Sequence, residues 1–255
     1  MNHPSAIIAD GAIIPASCSV GPFCVIGPNV VLGENCIIHP HVVIDGHTTL
    51  GEGNEVYPFA SIGLKSQDLK WKGGITRTTI GDRNTIREYV SIHSATGDGE
   101  VTSVGSDNYI LAYCHIAHNV VVGNKVVMSN LATLAGHVVV EDHVVVGGMS
   151  GVHQFCRVGR NAMVGGCSKV VQDVPPFMLA DGNPAEIRMI NKVGLERNGF
   201  GDDLISSLKQ AYRFLYREGN TLAAALTKIE SKLPPSAEIQ HLLQFARSSP
   251  RGLTK

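Results

Sequence analysis

Residues 115–166 read HIAHNVVVGNKVVMSNLATLAGHVVVEDHVVVGGMSGVHQFCRVGRNAMVGG. Stepping by six from Ile116 gives Val122, Met128, Leu134, Val140, Val146, Val152, Val158 and Val164, with no polar residue in the column. Four residues behind each runs a column of small side chains: Val120, Val126, Ala132, Val138, Val144, Ser150, Cys156 and Ala162. A period of six fits neither an α-helix nor a lone strand. It is the hexapeptide signature of a parallel β-helix, in which large and small residues together fill a narrow interior. Three hexapeptides close one triangular coil of about 18 residues, with coils about 4.8 Å apart like any paired strands.

The aliphatic column extends outward from this stretch. It runs back through Ile110 and Val104, then Ile92, Ile86 and Ile80, then from Ile62 to Ile8 without a miss, and forward to Val170. Two intervals break it: LKSQDLKWKGGITRTT (64–79) and HSATGDGEVTS (93–103). Both are too polar for a coil interior and read as inserted loops, which on rigid scaffolds usually carry function. Both gaps are multiples of six, so the register survives them. Glycine often follows the aliphatic, as at Gly33 and Gly147, where a turn needs an unhindered backbone. Cys18, Cys24, Cys36, Cys114 and Cys156 fall in the small inward column and only Cys167 lies outside it. With no CxxC pair, they read as buried structural thiols.

The pattern stops at Pro175 and Pro176. Beyond it the spacing predicts a helix through Leu204, Leu208, Ala211 and Leu215, one from N-cap Thr221, one from N-cap Ser236, and a shorter one over 185–197. The expected organisation is mainly β: a β-helix domain over 1–183 and an α-helical domain over 184–255.

The chain has 255 residues, 21 Lys+Arg against 22 Asp+Glu, and no clustered basic run. That argues against a nucleic-acid partner. No stretch approaches the roughly 18 apolar residues of a spanning helix, and the start lacks a signal-peptide pattern. The expected compartment is the cytoplasm, with no transmembrane segment.

Of eleven histidines, those at 39, 41, 47, 93, 115, 118, 137, 143 and 153 lie in the repeats, none on an inward column. His118 and His137 are one coil plus one residue apart and belong at one corner, with His115 and Gln154 in nearby coils. Imidazoles along one ridge suit proton transfer or metal binding. The residues before each aliphatic, among them Val121, Val139, Val145 and Met163, form outward apolar stripes. A closed cyclic oligomer covers such stripes with one repeated contact, and a three-sided prism suggests a homotrimer, with loop 64–79 reaching a neighbour's histidines.

The segments HIAHNVVVGN (115–124), TLAGHVVVEDHVVVGGMSGVHQFCRVG (133–159), VGGCS (164–168), SQDLKW (66–71), IREYVSIH (86–93) and SSPRGL (248–253) resemble, in order, the UDP-N-acetylglucosamine 3-O-acyltransferase (LpxA) family. The resemblance implies a left-handed parallel β-helix, a homotrimer, and transfer of an (R)-3-hydroxyacyl group from acyl carrier protein to UDP-N-acetylglucosamine, the first step of lipid A synthesis. By the same resemblance His118 is the general base, whose ordinary pKa suits it to take a proton from a sugar hydroxyl. Gly136 supplies the oxyanion N–H. Asp68 accepts the acyl 3-hydroxyl, with Gln67 and Lys70 beside it. His137, Gln154, Asn191 and Arg197 contact the nucleotide sugar, His115 and His153 line the pocket, and Gly166 limits acyl length. No metal, cofactor or acyl-enzyme is expected. The sequence departs from the family pattern at Asn119, where Asp is frequent, and at Val193, Asn198 and Pro184.

Other readings are transfer to a 3-amino UDP-sugar, the related N-acyltransferase of the same pathway, a zinc γ-type carbonic anhydrase, and a non-catalytic β-helix. The N-acyltransferase normally carries an additional N-terminal domain, for which a repeat beginning at residue 8 leaves no room. A purely structural helix leaves the histidine ridge and the polar loop without a purpose.

Overall fold

The computed structural model describes residues 2–255. Strands mostly two residues long stack into three flat sheets of nine, seven and ten strands, forming the walls of a prism. Successive coils pair in parallel with the expected register, as in Ile26 with Ile44 and Ile116 with Leu134. The aliphatic column is the core: Ile26, Ile38, Ile44, Ile62, Ile86, Ile92, Ile110, Ile116 and Met128 are all fully buried. The five inward cysteines are buried and Cys167 is exposed. The coils wind left-handed.

Three edges join the walls. The first edge follows each strand of the nine-stranded sheet, the second each strand of the seven-stranded sheet, and the third each strand of the ten-stranded sheet. The chain turns at these edges through left-handed backbone at residues other than glycine, including Phe59, Tyr113, Asn119, His137, Phe155 and Asn161. That conformation costs an L-residue roughly 1–2 kcal/mol, so stacking of coil on coil must hold it. The glycines after the aliphatics serve a different need. A Cβ at Gly33 would lie 2.5 Å from the Gly51 carbonyl carbon, and one at Gly147 2.6 Å from the Gly166 nitrogen. Close approach of neighbouring coils, rather than an unusual φ, requires glycine there.

The second edge, where the chain enters the ten-stranded wall, holds a buried polar ladder where the small column contains asparagine. Asn54 Oδ1 accepts from Asn84 N, Asn84 Oδ1 from Asn108 N, and Asn108 Oδ1 from Val126 N, at 2.9, 2.9 and 2.7 Å. Each level hands its amide oxygen to the next backbone N–H, so this polar interior is largely satisfied.

Both inserted loops leave the first edge, and both are shorter than the pattern implied. Strands at Ser61–Leu64 and Arg77–Ile80 leave 65–76 as the first excursion, and Ser91–His93 and Val101–Val104 leave 94–100 as the second. Thr78 and Thr102 are fully buried, so polar residues read as loop are wall.

At the C-terminal end one expectation fails. Residues 186–190 form a strand antiparallel to Met178–Asp181, so the helix expected over 185–197 is reduced to α1, Lys192–Arg197. Ile187 and Ile190 mimic helical spacing, but the last coil offers an open strand edge whose backbone groups need partners. The expected division at 183/184 falls in the turn of this hairpin. The other helices form where expected: α2 Asp202–Tyr216 from its apolar spacing, α3 Leu222–Lys232 capped by Thr221, and α4 Ala237–Arg247 capped by Ser236. Their apolar faces close the prism over Phe177, which meets Phe200 and His241. His241 Nε2 bonds Glu141 at 2.7 Å, and the 248–255 tail returns to the last coil, Thr254 N donating to Asp173 O. No helix among the described residues is long and apolar enough to cross a membrane.

Candidate active site

Three coils and one loop build a cleft of about 540 Å³ at the first edge, lined by Gln67, Asp68, Lys70, His115, His118, Gly136 and Gln154 among others. The coil register does most of this. His118 and His137 lie at one corner in adjacent coils, their rings edge to face at 5.3 Å, and His137 stacks on Phe155 one coil further at 4.7 Å. The His137 N–H donates to the His118 carbonyl.

His118 is gripped on one side. Its Nδ1 lies 3.0 Å from Asn119 Oδ1, while Nε2 lies 3.8 Å from Asp68 Oδ2. Gly136 makes room for the ring: a Cβ there would stand 2.4 Å from His118 Cε1 and 2.5 Å from Nε2. The Gly136 N–H has no hydrogen-bond partner among the described residues.

Asp68 comes from the first loop of the same chain, so the expectation that this loop reaches a neighbour's histidines is corrected. The two excursions are tied together and folded back on their own edge. Ser66 Oγ meets Thr96 Oγ1 at 2.7 Å, Ile75 N donates to Asp98 Oδ1 at 2.7 Å, and His93 Nδ1 meets the Lys65 carbonyl at 2.8 Å. The Asp68 carboxylate takes the Lys70 N–H on Oδ1, which leaves Oδ2 toward the imidazole. Leu69 is fully exposed at the tip.

His115 sits deeper, with Nδ1 2.7 Å from Ser91 Oγ and its ring 5.4 Å from that of His93. Burial, with the neighbouring His93 and His118, lowers its pKa to about 4, so it is neutral near pH 7 and adds no charge against His118. Burial likewise lowers His137. The Cys114 thiol is buried and pushed up to about 11, far from a thiolate nucleophile at pH 7.

Several expected residues lie elsewhere in the chain. His153 is exposed, its Nδ1 turned to the carbonyl of Gln154, and does not line the cleft. Gly166 is at the third edge, where a Cβ would meet only the Gly148 carbonyl, at 3.5 Å. Asn191 is 5% exposed and caps α1, accepting from Gly194 N and donating to the Asn161 carbonyl at the second edge. Arg197 is exposed in the last turn of α1. The expected set thus occupies all three edges, and one protomer gathers only the first-edge part. Ser91, His93 and Glu100 were missed. Glu100 is one coil plus one residue before Asn119, the same offset that pairs His118 with His137, so the spacing held the signal. No group of three or more His, Cys, Asp or Glu side chains among the described residues is arranged to hold a metal ion.

Comparison with known proteins bears on this geometry. Residues 173–254 match the family described as UDP-N-acetylglucosamine O-acyltransferase, domain 2, and residues 11–46 match bacterial transferase hexapeptide (six repeats). An acyl-(acyl-carrier-protein)–UDP-N-acetylglucosamine O-acyltransferase of Burkholderia orbicola (strain MC0-3) is 50% identical, over 99% of this chain and 98% of that protein. Its counterpart from Verminephrobacter eiseniae (strain EF01-2) is 48% identical with the same coverage. The solved LpxA structure from Acinetobacter baumannii superposes with a TM-score of 0.96 at 40% identity, covering 100% of this chain and 99% of the other.

Proposed function

The chain belongs to the UDP-N-acetylglucosamine O-acyltransferase (LpxA) family, and from that premise we infer that the cleft at the first edge carries out its reaction. The enzyme moves an (R)-3-hydroxyacyl chain from acyl carrier protein to the glucosamine 3-hydroxyl of UDP-N-acetylglucosamine, the first step of lipid A synthesis. His118 Nε2 takes the hydroxyl proton as the oxygen attacks the thioester carbonyl. The Gly136 N–H donates to the oxyanion that forms there. As the C–S bond breaks, the imidazolium returns its proton to the leaving sulfur, giving the free carrier thiol and the 3-O-acyl sugar nucleotide. No acyl-enzyme forms.

Asp68, the carboxylate nearest Nε2, accepts the acyl 3-hydroxyl and stabilises the imidazolium, with Gln67 and Lys70 beside it. His115, His137 and Gln154 contact the nucleotide sugar, and His153 borders that site. Asn191, Arg197 and Gly166 belong to the same catalytic unit only if a neighbouring copy presents its second and third edges to this first edge. That supports a homotrimer, with the prism (1–183) catalytic and residues 184–255 as its cap. Arg197 then supplies the diphosphate charge and Gly166 bounds the acyl chain. Soluble substrates, a nucleotide sugar and a carrier protein, support a cytoplasmic reaction.

One observation carries this reading: His118 is held through Nδ1 while Nε2 opens on a cleft bounded by a side-chain-free Gly136. His118→Ala should lower turnover of UDP-N-acetylglucosamine with 3-hydroxyacyl carrier protein by roughly 10²–10⁴-fold. Turnover equal to the unaltered enzyme would refute the assignment. A 3-amino acceptor run in parallel checks the acceptor atom.

A further inference from the structure

Asn119 follows the histidine, and its surroundings fix its orientation from both sides. Its Oδ1 accepts the backbone N–H of Thr96 at 3.0 Å, a donor that cannot be reversed. Its Nδ2 donates to Glu100 Oε2 at 2.7 Å, and a carboxylate oxygen can only accept. The oxygen facing His118 Nδ1 at 3.0 Å is therefore an acceptor, so that nitrogen must carry the hydrogen. The lone pair is left on Nε2, at the cleft.

We propose that Glu100, acting through the Asn119 amide, is a positioning residue that sets the tautomer of His118. The proposal rests on His118 being the general base. Glu100 is itself held: Oε2 also accepts the Gly97 N–H at 2.8 Å, and a Cβ at Gly97 would collide with the carboxylate, so the loop leaves room for this bond. The bond to Asn119, then that from Gly97, holds its carboxyl below the usual range, keeping it ionised. The backbone of Asn119 is anchored separately, its N–H donating to Thr102 Oγ1 at 2.8 Å. The carboxylate is thus displaced one residue outward from the imidazole and joined to it by a neutral amide, where it fixes geometry without charging the ring's immediate neighbour.

Two substitutions, alone and combined, test the linkage. Glu100→Ala should lower kcat about tenfold with KM for UDP-N-acetylglucosamine within about twofold. Asn119→Asp sets two carboxylates side by side and should cost a similar factor. Glu100→Gln in the Asn119→Asp background should restore kcat to within about twofold of the starting enzyme, because the new amide donates to the new carboxylate. Nitrogen-15 resonances of His118 should report Nδ1–H in the unaltered protein and a tautomer mixture in Glu100→Ala. An Asn119→Asp loss that is the same with Glu or Gln at 100, or an unchanged tautomer in Glu100→Ala, overturns the proposal. His118→Ala assayed alongside separates the two failures: an active enzyme sinks the general-base reading, an inactive one without coupling sinks only the role of Glu100.

Discussion

A methyl group on Gly136 would press on His118 Cε1 from 2.4 Å. Gly136→Ala should therefore displace the imidazole and lower kcat by about 10² or more, since misplacement of about 1 Å can cost that much. Its φ is not in the left-handed region, so thermal unfolding should shift by only a few degrees; a large Tm loss would show the effect to be on folding. His115 has a different consequence. Folded, its pKa is about 4; unfolded, it returns to about 6.5. Between those values the unfolded chain binds more protons, so this group makes stability fall as pH drops from about 6.5 to about 4 and adds no further slope below. Unfolding followed across that window should show a shallower acid limb in His115→Gln than in the parent; identical limbs would count against it. Residues at this scale were legible where a coil's length relates them, as with His118 and His137. Asp68 sits on a loop whose path depends on bonds such as Ser66 to Thr96, which no spacing encodes.

Among elements, the walls could be read from one aliphatic column because each strand has a single inward aliphatic, whatever surrounds it. The asparagine ladder was not legible, since Asn54, Asn84 and Asn108 occupy the small column as polar residues and only the stacked geometry pairs them. Asn84→Val keeps a volume suited to that column yet leaves the buried Asn108 N–H without its partner, while Asn54 Oδ1 keeps the backbone N–H of residue 84 and loses only the side-chain bond. It should cost about 1–3 kcal/mol of stability in denaturant unfolding; a neutral result would mean the ladder contributes little. The hairpin over 178–190 was misread for a related reason. Whether Ile187 and Ile190 sit on a helix or a strand depends on the unpaired edge of the last coil, a partner fixed by tertiary structure. Thr221 and Ser236 were legible because capping is local: each side chain accepts an N–H three residues on.

For the whole molecule, the expected site is spread over the three edges of the prism: His118 and Gly136 at the first, the Asn191 anchorage at the second, Gly166 at the third. If neighbouring copies complete the cleft, two inactive variants should rescue each other. His118→Ala and Arg197→Ala proteins, denatured and refolded together, should regain about a quarter of the parent's turnover, as random mixing of two copies around each cleft gives. No recovery on mixing would show that one chain carries the whole site. The same division has a cost for a cell that makes a mixture of sound and faulty copies. Each copy borders two clefts, so a faulty copy would spoil a sound neighbour's work as well as its own, and a minority of defective chains would depress output out of proportion to their number.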